Sequence, residues 1–362
     1  MKKPFAYFSL ILLISVTISS CKNEENKKSP DTETKLISKT EAPEGMVWVA
    51  QKTFLQGAKD SDNYAMPREK PAHMVNVDGF YMDITEVTNK QFKVFVDATN
   101  YMTIAERQID WEEMKKELPP NTPKPHDSIL QPGSLIFNKD VNAVVNMENY
   151  GQWWTWKTGA DWKHPYGPES TIEGKDDYPV VHIAYLDAVA YCKWANRRLP
   201  TEAEWESAAQ GKNINTIFTW GNDASKLDAN ANTWQGVFPT NNDSKDGFQF
   251  ISPVKSYPPN SIGLYDMAGN VWEITSDFFS VKYYSELDTS QPILNPKGAD
   301  THFNPNNPYQ VEHVMKGGSF LCHSSYCASF RISAKMGVSV DSGSDHMGFR
   351  TVATPDMLES KE

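Results

Sequence analysis

The part of this sequence that most limits its fold is the half beyond Gly211. Gly, Pro, Asn and Asp recur there so often that only brief apolar runs survive between them. Such punctuation allows short strands and turns but no long helix. Loops of that length inside a compact body are usually functional or tied down by ions. The earlier half carries more regular signals. Residues 46–49 and 74–77 read as short strands. Thr88-x-x-Gln91 is a capping box opening a helix with Phe92, Phe95 and Val96 on its buried stripe. Residues 112–131 are polar and proline-rich, a surface excursion. A further helix is expected over 186–196, with Val189, Cys192 and Ala195 near one face. Thr201 and Glu204 then cap a third, with Trp205 and Ala208 turned inward. The sum is a loop-rich α+β body with few long elements.

The N-terminus has a different character. Lys2 and Lys3 precede an apolar run over residues 5–18, too short to span a bilayer comfortably, and Ser19-Ser20-Cys21 follows. An apolar residue three positions before a Cys, with small residues between, resembles a bacterial lipobox. That resemblance implies a signal peptide over 1–20, cleavage before Cys21 and acylation there, hence an exported, membrane-anchored cell-envelope lipoprotein. Residues 21–44 hold almost nothing apolar besides Leu36 and Ile37, so a disordered tether is expected. From residue 45 to about 355 the composition is globular, with no second linker and no internal repeat, which predicts one domain. A formal charge of −11 argues against nucleic acid as a partner.

Four cysteines occur, and setting Cys21 aside leaves Cys192, Cys322 and Cys327, an odd number for an oxidising compartment. Cys192, on an apolar helix face, reads as inert core. Cys322 and Cys327, in Lys316-Gly317-Gly318-Ser319-Phe320-Leu321-Cys322-His323-Ser324-Ser325-Tyr326-Cys327, are five residues apart. That spacing separates them on a strand or a helix, so they meet only if the chain turns between them. Two purposes would bring them together, a disulfide or a soft metal. Two thiolates suit Cu(I), whereas Zn(II) wants four ligands. Spacing alone favours the disulfide and leaves the metal open, with His323 a third ligand or a bystander.

The same segment, followed by Arg331 and by Gly348-Phe349-Arg350, resembles the active-site strand of the aerobic formylglycine-generating enzymes. Glu86-Val87-Thr88-Asn89, Gly159-Ala160-Asp161-Trp162-Lys163-His164-Pro165, Arg198-Leu199-Pro200-Thr201-Glu202-Ala203-Glu204-Trp205-Glu206 and Gly269-Asn270-Val271-Trp272-Glu273 look like that family's signatures, in its order. The resemblance covers residues 45–352. It implies an irregular α+β single domain of the formylglycine-generating-enzyme, C-type-lectin-like type.

It also implies a chemistry. Cys322 and Cys327 fall on the positions that hold Cu(I) linearly, to which a substrate cysteine adds a third thiolate. Dioxygen then converts that cysteine, within a Cys-x-Pro-x-Arg motif of an unfolded sulfatase polypeptide, to Cα-formylglycine. Ser319 and Trp272 match residues of the oxygen pocket, and His323, Tyr326 and Arg331 match supporting positions. Two Ca(II) sites carry over, one from Asn232, Thr233, Asp246 and Phe248, the other from Asp266, Gly269, Val271 and Glu273. Carboxylates mixed with backbone carbonyls suit that hard cation, while residue by residue Asp246 and Asp266 read equally as turn caps. Two rivals stand beside the oxidase. Non-catalytic lipoproteins of this fold act in surface motility and secretion and typically lack the cysteine pair. Non-haem iron sulfoxide synthases would need a histidine-rich helical partner domain, which the sequence does not contain.

Overall fold

The computed structural model describes residues 42–359; the signal peptide, Cys21 and all but the last three residues of the expected tether lie outside them. The chain begins with strands β1 (Met46–Val49), β2 (Lys52–Gln56), β3 (His73–Val77) and β4 (Phe80–Asp83), then helix α1 (Asn89–Thr99). A short α2 (Trp111–Met114) precedes the hairpin of β5 (Gly133–Phe137) and β6 (Trp154–Thr158). Helices α3 (Tyr185–Trp194) and α4 (Glu202–Gln210) follow, then the two-residue strands β7 (Gly236–Val237) and β8 (Asn241–Asn242). The last third holds β9 (Trp272–Phe278), α5 (Tyr283–Glu286), β10 (Ile293–Leu294), β11 (Glu312–Lys316) and β12 (Met336–Ser339). It ends with β13 (Met347–Gly348), β14 (Val352–Ala353) and α6 (Pro355–Glu359). Long irregular stretches join these pieces, as the Gly- and Asn-rich sequence requires.

The helices start where their caps dictate. Gln91 N–H donates to Thr88 Oγ1 at 3.3 Å while Gln91 Oε1 accepts from Thr88 N–H at 2.8 Å. Thr201 and Glu204 repeat the exchange at 3.1 and 2.8 Å, satisfying N–H groups that a helix start leaves open. On α1, Phe92 and Phe95 pack against Tyr191 of α3. One expectation needs correction. The buried face of α3 is Ala188, Tyr191 and Cys192, while Val189 is 38% exposed. Position 189 lies about 100° around the helix from 188 and points past the core.

Three small sheets carry the body, in the orders β1-β4-β14, β10-β3-β2 and β12-β11-β9-β13. The last one positions the site. All five residues of β11 are buried, including Lys316. A buried ammonium needs partners, and α4 supplies them. Lys316 Nζ lies 2.7 Å from Glu206 and 3.4 Å from Glu202, and Glu202 also takes Lys335 at 3.1 Å. Held this way, β11 delivers the chain into Gly317 and Gly318. Gly318 has φ 74°, and a Cβ there would stand 2.8 Å from the backbone of Ser329, so only glycine fits. Antiparallel to β11, strand β9 begins at Trp272, and β13 pairs Met347 with that residue.

Candidate active site

The turn the spacing demanded is present between the two cysteines. The carbonyl of His323 accepts the N–H groups of Tyr326, Cys327 and Ala328, each at 3.0 Å. Ala328 then reverses the chain with φ 44°, a left-handed conformation unusual for alanine. Arg331 Nε donates to the Ala328 carbonyl at 2.8 Å, and Ser329 Oγ to that of Cys327 at 3.1 Å. Both thiols are free, Cys322 buried and Cys327 partly so. They lie close enough for each to perturb the other's titration.

The two sulfurs differ in electrostatics. Burial pushes the Cys322 thiol well above the usual range. At Cys327 burial acts the same way, but hydrogen bonds from Cys322, Ser329 and the His323 backbone outweigh it and leave that thiol below its ordinary value. The lowered value favours thiolate character at the more accessible of the two.

Ser319 is fully buried between the strand and the cysteines. Its N–H points at Cys322 Sγ at 3.4 Å, its carbonyl accepts Cys322 N–H at 2.9 Å, and its Oγ accepts Leu321 N–H at 3.2 Å. Trp272 sits in the same core cluster as Cys322, Ala328, Phe330 and Met347, with Cys327 packed against it. Tyr326 forms a rim. Its ring stacks on Phe238 at 4.5 Å and meets Trp153 edge-on at 5.8 Å, yet it remains 36% exposed. His323 takes another direction, its Nδ1 lying 2.8 Å from Ser325 Oγ. Arg331 lies beneath the turn, where Nη1 reaches Asp62 and Glu69, each at 2.7 Å, and Nη2 reaches Glu69 at 3.0 Å.

The structure brings each expected calcium set together differently. In the first, the Asp246 carboxylate accepts N–H groups from Thr233, Phe248 and Gln235 at 2.9, 3.1 and 2.9 Å, and Asn232 Nδ2 donates to the Phe250 carbonyl at 2.9 Å. Each carboxylate oxygen there accepts at least one N–H. In the second, Gly269 and Val271 lie beside Asp266, whose Oδ2 accepts Lys255 N–H at 2.8 Å and whose Oδ1 is buried without a partner. Burial pushes Asp266 up to about 6. Glu273 has its two oxygens each 2.6 Å from Arg350 and one also 2.7 Å from Trp205 Nε1. A second orphan oxygen belongs to Glu86, buried with Oε2 unpartnered and raised well above its usual range, chiefly by burial and then by Asp266. Two buried carboxylates with orphan oxygens are what a bound cation would relieve. Among the described residues no three His, Cys, Asp or Glu side chains gather as a metal cage, so any cation would rest on few charges and on backbone oxygens.

Sequence reasoning missed Asp62, Glu69 and Glu86 as parts of the site. It also missed the role of Asn270, in the left-handed region with φ 57°. Asn270 accepts Phe320 N–H through its carbonyl at 2.9 Å and donates from Nδ2 to Glu86 at 3.2 Å, so one residue ties the carboxylates to the cysteine loop. The Gly-Asn pair before Trp272 is the signal that could have found it.

Comparison with known proteins bears on this geometry directly. Residues 33–355 match the family described as Sulfatase-modifying factor enzyme 1-like domain. The formylglycine-generating enzyme of Bos taurus is 39% identical over 314 residues, 86% of this chain and 75% of that protein. The formylglycine-generating enzyme of Mycobacterium tuberculosis is 41% identical over 294 residues, 80% of this chain and 92% of that one. A mouse protein named Inactive C-alpha-formylglycine-generating enzyme 2 is 34% identical over 313 residues, 85% of each. Among solved structures, PvdO from Pseudomonas aeruginosa shares the fold with a TM-score of 0.55 at 20% identity, over 85% of this chain and 93% of that one. The matched residues span the strand frame, the cysteine turn and the buried carboxylates together, and the chain belongs to the formylglycine-generating-enzyme, or sulfatase-modifying-factor, family.

Proposed function

We propose that this chain is an oxidase that converts the cysteine of a sulfatase Cys-x-Pro-x-Arg motif to Cα-formylglycine with dioxygen. The observation that carries the reading is the pair of free thiols, Cys322 and Cys327, that the His323 turn brings together, in a family whose curated relatives bear that activity's name. Cys322 and Cys327 would hold Cu(I), for which two soft sulfurs in a largely dry site are suitable donors. When bound, that ion supplies the electron transfer to dioxygen that no side chain here can provide. The balance is fixed by the chemistry. The substrate CH2–SH becomes CHO, sulfur leaves as hydrogen sulfide, and one oxygen atom becomes water with two electrons and two protons from an added thiol.

The chain's own residues prepare the site. Ser319 fixes the position of Cys322 through its N–H and carbonyl, and buried Trp272 excludes water from the inner wall. Cys327, on the accessible side of the pair, faces the approach of an unfolded polypeptide, and Tyr326 on its aromatic base forms the rim. Calcium at Asp266, with the Gly269 and Val271 carbonyls and with Glu86, would order the loop that leads through Asn270 to the cysteines. The same reading places the chain in the cell envelope, anchored through Cys21.

The test is conversion of a Cys-x-Pro-x-Arg peptide by purified protein supplied with Cu(I), air and a thiol reductant, followed by mass spectrometry. The aldehyde is expected with the native chain and not with Cys322→Ser. No aldehyde from the native chain, or equal yields from both, refutes the oxidase. The outcome would then favour a non-catalytic binding role, which the relative named inactive keeps in view.

A further inference from the structure

A cavity of about 830 Å³ opens on the body away from the cysteine turn, between the β3–β4 connection, α3 and the segment around residue 296. None of residues 317–331 lines it. Strand β9 links the two regions, since Trp272 at its start shares a core cluster with Cys322 and Ser276 lies on the cavity wall. Four residues of strand separate those two ends by roughly 13 Å. The volume falls within the range that encloses a drug-sized molecule, about 300–1,000 Å³.

The lining sorts by what each polar group already does. Of the two acids, Glu204 is paired with a cation, whereas exposed Asp78 is hydrogen-bonded only to an amide. Glu204 holds Arg198 by two bonds of 2.6 Å, and Asp78 exchanges two bonds of 2.8 Å with Asn295. The remaining cations have no such partner. Lys193 and Lys297 make no ion pair among the described residues, and Arg197 has a guanidinium nitrogen, Nη1, buried with no acceptor. Asp83, whose charge Arg197 feels, is held by Thr351 at 2.6 and 2.8 Å. The floor beneath these cations is apolar, made by Phe80, Leu199 and Cys192, each buried. The wall therefore carries four cations against two acids over an apolar base, on a chain whose formal net charge is −11.

We propose that this cavity binds a small amphiphilic anion, a carboxylate or phosphate head on an apolar body, with Lys193, Arg197 and Lys297 receiving the head. Guanidinium and ammonium groups lacking acids of their own are natural partners for such a head. A compact hydrocarbon or aromatic body would cover the floor. The site is independent of the cysteine chemistry and stands whether or not the oxidase reading does.

Calorimetric titration of the purified protein with 4-phenylbutyrate, phenyl phosphate and the neutral 4-phenylbutanol tests it. The two anions distinguish the head groups, and the alcohol measures the contribution of the apolar body alone. Each engaged charge is expected to be worth about tenfold in affinity. At least one anion should thus bind about tenfold or more tighter than the alcohol and weaken as salt is raised. The double variant K193E/K297E, confined to exposed side chains and so safe for folding, should abolish the preference. Arg197→Gln should reduce it, and Cys322→Ser should leave it unchanged. Equal binding of anion and alcohol, no binding of either anion, or a preference that survives K193E/K297E would overturn the proposal.

Discussion

The clamp beneath the cysteine turn makes a quantitative prediction. Arg331 is 1% exposed and has three of its nitrogens engaged: Nη1 with Asp62 and Glu69, Nη2 with Glu69, and Nε with the carbonyl of Ala328, the residue after Cys327. Replacing Glu69 by Gln keeps the shape and one acceptor oxygen but removes a charge that the buried guanidinium relies on. Breaking a buried pair on one side costs about 3–5 kcal/mol, because the other charge is left uncompensated. Asp62 still lies 2.7 Å away, which places Glu69→Gln at the low end, near 3 kcal/mol. That is roughly a hundredfold in the ratio of folded to unfolded chain. Urea unfolding followed by tryptophan fluorescence measures it. The double variant Glu69→Met, Arg331→Met removes both charges and should be far less destabilised than the sum of the single changes. It nevertheless leaves the Ala328 carbonyl without its donor, so Cu(I) binding in a competition assay should weaken more in this variant than in Glu69→Gln. A loss below about 1 kcal/mol for Glu69→Gln, or strict additivity in the cycle, would refute the claim that this pair braces the turn.

Three further outcomes are expected. Burial pushes the Asp345 carboxyl up to about 7, so the folded chain holds an extra proton between about pH 4 and about pH 7, and stability falls as pH rises through that window. Asp345→Asn should therefore gain about 2–4 kcal/mol over the native chain near pH 8, a gain that fades below about pH 4, as urea unfolding at the two pH values would show. Chelation by EGTA should lower Tm, calcium should restore it, and Asp266→Ala should remove the response; at free calcium about 100-fold above Kd the effect is about 2.7 kcal/mol. Ser319→Ala strips the acceptor from the buried Leu321 N–H, a loss of about 1–3 kcal/mol in urea unfolding, and should lower aldehyde yield as Cys322 loosens.

What could be read in the sequence was what acts over short distances. The capping boxes at Thr88 and Thr201 are legible because both partners lie within one turn, and the cysteine turn is legible because five residues of spacing allow no other meeting. The brevity of β7 and β8, two residues each, follows from the density of Gly and Asn but has no periodicity to announce it. The ion network was hidden for a different reason. Glu69 and Arg331 are 262 positions apart and Glu206 and Lys316 are 110 apart, and each alone looks like an ordinary surface charge. Strand β11, Glu-His-Val-Met-Lys, has polar residues at both ends and is nevertheless buried throughout, because Asn304 and Asn307 donate to Glu312 and α4 supplies Glu206 to Lys316. The Asp266–Glu86 pair was half legible for the same reason. Asp266 stands among turn residues that suggest a ligand or a cap, whereas Glu86 reaches it from far upstream.

These long-range pairs also decide how a cysteine substitution should be interpreted. The frame around the turn is made of Lys316 with Glu206, Arg331 with Asp62 and Glu69, and Arg350 with Glu273, and none of these contacts uses sulfur. The turn itself is closed by the His323 carbonyl and by Arg331 Nε, again without sulfur. Cys322 contributes one weak acceptor to Ser319 N–H at 3.4 Å, a role that a serine hydroxyl can fill. Cys322→Ser should therefore keep the native fold, with a stability change of about 1–2 kcal/mol from placing a hydroxyl in an apolar setting. Lost product in that variant would then report on chemistry at the thiols and not on collapse of the loop. A variant that unfolds would refute this and show that the sulfur supports the frame. Sequence likeness is shared with a relative named formylglycine-generating enzyme and with one named inactive, so it is the two thiols, tested in an intact frame, that decide between the two readings.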